Sequence, residues 1–123
     1  MDAVEQFFTE VKGREHEPSL RRISGTIRYE LSSGSGRNST NGNGADTWMI
    51  SIDKGDLSVA HRAGKADTVV RTDRKLFERI LTGRADAMAS MLRGLVFVEG
   101  DPELAVLSNR LFSATGMMEE RHA

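Results

Sequence analysis

The chain of 123 residues contains no cysteine. That absence excludes disulfides, thiolate metal sites and cysteine nucleophiles together, and it suits a reducing compartment. Runs of eighteen or more apolar residues are also missing, so no segment reads as a membrane-spanning helix and stable membrane insertion is not expected. Neither sign of charge is in excess: 17 Lys and Arg stand against 18 Asp and Glu, a formal net charge of -1. Without a basic field over the whole molecule, nucleic acid is not an expected partner, and any partner is chosen locally. The opening MDAVEQFFTEVKGRE has an early acid and no apolar core of a secretory signal, and the final Arg121, His122 and Ala123 are not a peroxisomal S-K-L ending. The expectation is a cytoplasmic protein.

Catalytic and cofactor signatures are equally scarce. GSGRNS and GNGADT approach the dinucleotide fingerprint, but that motif needs a preceding strand and an immediately following helix, and here a strand follows. No G-K-[ST] and no G-x-S-x-G elbow is present. His16, His61 and His122 are scattered, with no i, i+4 pair and no flanking carboxylate cluster, so neither metal nor cofactor is expected. His61 alone falls in an alternating segment where it could point inward, as a structural histidine rather than a catalytic one. NST at Asn38 reads as a polar loop in the absence of a secretory signal. RRIS at Arg21–Ser24 reads as a solvated strand edge more simply than as a kinase site.

What is present is a single-domain pattern. Hydrophobic residues make up 38% and charged residues 28%, and a chain of this length buries roughly two-thirds of its unfolded surface, enough for one core. Val4, Phe7, Phe8 and Val11 recur at helical spacing behind Asp2 as cap. Ile23, Ile27, Tyr29 and Leu31 then alternate with polar residues, the period of a half-buried strand. Residues 32–46 are Gly, Ser and Asn with almost nothing apolar and read as a flexible connection. Trp48, Ile50 and Ile52 alternate into the turn DKGD, after which Leu57, Val59 and His61 resume the alternation as a hairpin.

A short strand, DTVVRT, precedes a helix with Leu76, Phe77, Ile80 and Leu81 on one stripe, capped at Thr72 or Asp73 and stopped at Gly83. Asp86 and Gly94 bracket a short helix before the strand LVFVE. Asp101 and Pro102 then open a last helix whose stripe is Leu104, Leu107 and Leu111. The order is one helix, four strands, two helices, one strand and one helix. Sequential strands joined by short turns predict an α+β fold, a five-stranded mainly antiparallel sheet covered on one face by helices.

Taken in order, GTIRYEL, the Trp48 strand entering DKG, ADTVVRTD running into LTGRADAMASMLRG, and the VEGDPELAVL junction resemble the sterol carrier protein 2 family. The resemblance runs from the N-terminal helix to about Phe112. It implies a single sterol-binding-type domain over residues 1–123, with an apolar cavity between sheet and helices holding a sterol, fatty acyl chain or similar lipid and performing no chemistry on it. The expected wall of that cavity, with the ligand-facing side of the sheet inferred from alternation alone, comprises Trp48, Ile50, Phe77, Leu81, Met88, Met91, Leu92, Phe97, Leu104, Leu107 and Leu111. Methionine is unbranched and polarisable, so Met88 and Met91 suit a wall that accepts chains of differing shape; filling core gaps is the plainer role for either alone. In the tail 113–123, Met117 and Met118 could close a cavity mouth, pack at a homodimer or partner interface, or lie disordered. A filled-core module serving a protein partner is the alternative to a carrier.

Overall fold

The computed structural model describes residues 3–32 and 45–107. Chain order is α1 (Ala3–Arg14), a 3-10 turn (Pro18–Leu20), β1 (Ser24–Ser32), β2 (Ala45–Asp53), β3 (Asp56–Ala60), β4 (Thr68–Asp73), α2 (Arg74–Leu81), α3 (Ala87–Leu92), β5 (Val96–Gly100) and α4 (Pro102–Leu107). Asp2, Asn38, Leu111, His122 and the tail 113–123 lie outside the described residues. So does most of the expected loop, and its ends are strand: Ser32 faces Ala45 and Leu31 faces Asp46 across the β1–β2 ladder. A ladder needs only backbone groups, so a segment poor in apolar side chains can still extend it. Among the described residues no helix is long and apolar enough to cross a membrane.

The strand order is β3-β2-β1-β4-β5. Three ladders are antiparallel, but β4 pairs in parallel with β1 rather than with its sequence neighbour β3. The sheet is therefore mixed. Register explains how so short a connection allows it. Ala60 ends β3 level with Met49 of β2, which faces Arg28 of β1; Thr68 begins β4 beside Ile27. Residues 61–67 need only cross three strand spacings, about 14 Å, without returning along the sheet. They cross on the face away from the helices, where the Gly64 carbonyl accepts from Arg28 Nη1.

Helices cover the other face. Val4, Phe7, Phe8 and Val11 of α1 are all but fully buried, each burial contributing about 1.5–3 kcal/mol. Ile27, Tyr29 and Leu31 of β1, Ile50 and Ile52 of β2, Phe77, Ile80 and Leu81 of α2, and Leu104 of α4 complete the core. The β2–β3 hairpin turns on Lys54 (φ 53°) and Gly55 (φ 92°), the pair of positive φ values that a tight two-residue turn demands. The segment after α1 is pinned to this hairpin: Glu17 N donates to Gly55 O at 2.8 Å, and His16 Nδ1 donates to Asp56 Oδ1 at 2.7 Å.

Each later helix opens on an aspartate. Asp73 accepts from the backbone N–H groups of Lys75 and Leu76, Asp86 from Ala89, and Asp101 from Glu103 and Leu104. These side chains satisfy donors that the first turn of a helix leaves unpaired.

Candidate functional site

Strand parity sorts the expected wall residues. Cross-strand partners share a face, so Trp48 and Ile50 lie with Tyr29 and Ile27, and Val96 and Val98 lie with Thr72 and Val70 on the helix-covered side. Over β1 and β2 this side is densely filled. Phe8 stacks on Trp48 with ring centroids 4.4 Å apart, and Phe77 meets Phe7 edge-on at 5.9 Å and Tyr29 at 5.6 Å. Ile50, Phe77, Leu81 and Leu104 are buried in that cluster, while Trp48 is half-buried at its margin.

Cover thins towards β5. Val96 and Val98 are only half-buried on the inner side, and on the neighbouring α3 Met91 is half-buried beside buried Ser90. Met88, Leu92 and Phe97 lie at the surface, 40%, 82% and 53% exposed. The reasons are geometric. On α3, Ala87 and Ser90 take the inner side at i and i+3, leaving Met88 and Leu92 on another ridge and Met91 at the margin. On β5, Phe97 pairs with Arg71 on the outer face, between the inward Val96 and Val98. The alternation of LVFVE carries the signal for the two valines, which take the parity opposite to Phe97. Leu107 belongs to α4, but its side chain, like Leu111, Met117 and Met118, is outside the described residues.

The polar groups are bound to one another. His61 is a surface residue rather than an inward one: its ring lies flat on Trp48 at 3.8 Å, and its Nε2 donates to Asp46 Oδ1 at 2.5 Å. Trp48 Nε1 donates to Asp46 Oδ2 at 2.9 Å, and Arg74 Nη1 donates to the same oxygen. Burial raises the Asp46 carboxyl, but the hydrogen bonds from His61, Trp48 and Arg74 outweigh it and hold the group below its usual range. Asp46 was hidden in the sequence by its place at the end of a polar stretch.

On the outer face Glu30 accepts from Arg28 Nε and Arg71 Nε, both at 2.8 Å. Burial again raises this carboxyl, and the two guanidiniums lower it further than burial raises it. Arg71 also reaches Glu99 at 3.5 Å and covers the Phe97 ring at 5.6 Å. Such neutralised networks hold a sheet face together and leave little charge for a substrate. Among the described residues no group of three His, Asp or Glu could hold a metal, and the cleft of about 370 Å³ at Thr26, Lys65, Ala66 and Asp67 is open and part polar.

Comparison with known proteins places this architecture. The chain superposes on the sterol carrier protein domain 2 of Helicoverpa armigera with a TM-score of 0.68 at 16% identity, covering 94% of this chain and 90% of that one. The palmitated sterol carrier protein 2 like 2 of Aedes aegypti gives 0.65 at 17% identity, covering 94% and 95%. A sec-alkylsulfatase from a Pseudomonas species gives 0.55 at 14% identity; the match covers 80% of this chain but 14% of that enzyme. None of the curated proteins matches in sequence. The family model for SCP-2 sterol transfer matches residues 4–113, nearly the whole length, and the chain belongs to the SCP-2 sterol transfer family.

Proposed function

We propose that this protein is a non-enzymatic lipid carrier, holding one apolar molecule between the inner side of β5 and the helices α3 and α4. The observation that carries the reading is the unevenness of the interior: packed to closure over β1 and β2, it leaves Val96 and Val98 only half-buried at the β5 end, with half-buried Met91 on the neighbouring α3. An apolar ligand would complete that surface, with a gain of about 25 cal/mol per Å² of area removed from water. A fatty acyl chain is the ligand class we favour, since the Aedes aegypti relative was solved palmitated. In this reading Met91 and Leu104 belong to the wall. The fully buried Ile50, Phe77 and Leu81 shape the wall from behind.

The closed packing around Phe77 favours a second reading, the filled-core module that serves a protein partner. Native mass spectrometry followed by organic extraction separates the two. A stoichiometric co-purifying lipid is expected, and Met91→Trp, which puts a larger side chain against the β5 surface, is expected to weaken acyl-chain binding at least tenfold while the protein stays folded. A bare mass that fatty acid and sterol leave unchanged would move the assignment to the filled-core module.

A further inference from the structure

The sheet ends in two edge strands, β3 and β5, and the chain treats them differently. Along β3 the edge is occupied by the segment after α1: the Leu57 N–H donates to Glu15 O at 2.6 Å, and His16 forms an antiparallel bridge with Asp56. Among the described residues no strand or bridge lies beyond β5. None of Val96–Gly100 is buried, the strand has no lysine or proline, and its five pairs with β4 run without a bulge. An edge of this kind offers its backbone groups to another strand. The Asp101 N–H donates to Asp67 O, in the register of the β4–β5 ladder. Antiparallel bonding alternates along a strand, so Phe97 and Glu99 also turn their backbone groups to β4, and Val96 and Val98 turn theirs to the open edge.

Residues 93–101 read R-G-L-V-F-V-E-G-D, a sequence that complements itself when reversed about Phe97. Antiparallel pairing about that centre sets Val96 opposite Val98, Gly94 opposite Gly100 and Arg93 opposite Asp101, with Glu99 on the diagonal from Arg93. The charges match: Arg93 and Glu99 are exposed, and Asp101 caps α4 through Oδ1, which leaves Oδ2 for a guanidinium. We propose that β5 pairs with β5 of a second copy of this chain, joining two five-stranded sheets about a two-fold axis at Phe97. The Val96 and Val98 backbones would bond across the axis. The two Phe97 rings, each 53% exposed and covered by its own Arg71 at 5.6 Å, would meet on the outer face, and Leu95, 49% exposed, would lie against the Glu99 stem of the other copy. Because both copies use the same strand, the contact closes as a dimer and leaves no edge for a fibre.

The test is sedimentation equilibrium from about 5 to about 500 μM protein. A monomer–dimer equilibrium is expected. Val98→Pro removes an N–H aimed at the partner and none that bonds β4, and Phe97→Glu sets two carboxylates face to face across the axis. Each is expected to weaken dimerisation about tenfold or more, with the unfolding midpoint of Phe97→Glu within about 2 °C of the parent because its side chain is exposed. The chain has no cysteine, so Phe97→Cys supplies a single thiol. A non-hydrogen-bonded antiparallel pair brings its Cα atoms to about 4.5 Å, within disulfide reach, and rapid oxidation to a covalent dimer is expected. Ser58→Cys, exposed on β3, is expected to stay monomeric under the same oxidant. A chain that is monomeric throughout, a dimer that both edge variants retain, or equal cross-linking at Phe97→Cys and Ser58→Cys overturns the proposal. Self-association is read whatever fills the interior, so its failure leaves the carrier reading standing, and a lipid-free native mass leaves the β5 pairing standing.

Discussion

At the scale of single residues, Asp46 is the group on which most depends. One carboxylate receives His61, Trp48 and Arg74, from the β3 end, β2 and α2, and so ties three elements together. Asp46→Ala is expected to cost about 1.5–3 kcal/mol in urea unfolding at neutral pH, the range for lost hydrogen bonds to a charged group. Its pH dependence has a definite sign. The folded pKa of Asp46, like that of Glu30, lies below the unfolded value. The stability these groups confer is therefore complete above the ordinary carboxylate range, near pH 4, and is lost as pH falls through the lower folded values. Unfolding followed from pH 6 down to about pH 2 is expected to show a shallower acid limb in Asp46→Ala than in the parent; identical limbs would mean that Asp46 titrates alike in both states.

At the scale of elements, the helix starts show local chemistry acting as the sequence suggests. Asp73, Asp86 and Asp101 each occupy the cap position, and their oxygens meet the first-turn N–H groups. Asp73→Ala is expected to destabilise by about 1 kcal/mol and Asp73→Ser by much less, measured as a shift in denaturant midpoint at constant slope. Strands were legible for a different reason. A period of two exposes one buried face, and Ile27, Tyr29 and Leu31 point where alternation puts them. The boundaries of β1 and β2 were not legible, because backbone pairing of Ser32 with Ala45 leaves no apolar signature. Phe97 shows the complementary failure: an aromatic residue in a strand invites an inward assignment, but its parity is fixed by pairing with Arg71 on β4, with two helices between them in sequence.

At the scale of the whole molecule, the unusual step is the crossover 61–67, which carries the chain from one edge of the sheet across β2 and β1. It arrives against β5 with no room to spare. Gly100 has φ +99°, and a Cβ there would lie 2.3 Å from the Asp67 carbonyl oxygen. Gly94 has φ +79° but open space around it. Gly94→Ala is thus expected to cost about 1 kcal/mol, from backbone conformation alone. Gly100→Ala adds a collision between backbones and is expected to cost at least about 2 kcal/mol more. Equal shifts in thermal midpoint for the two variants would show that Asp67 and Gly100 separate freely, and that the crossover is not locked to β5.

The sequence alone determined the order of the elements, the caps of the three later helices, the β2–β3 turn and the family resemblance, because each rests on interactions among residues a few positions apart. Tertiary structure decided what depends on distant partners. It paired β4 with β1, brought Asp46 to His61 and Arg74, and turned Met88, Leu92 and Phe97 outward while leaving Val96 and Val98 half-covered. Hydrophobicity at one position states that a side chain prefers burial; only the register of neighbouring strands and the packing of α3 decide which side chains receive it.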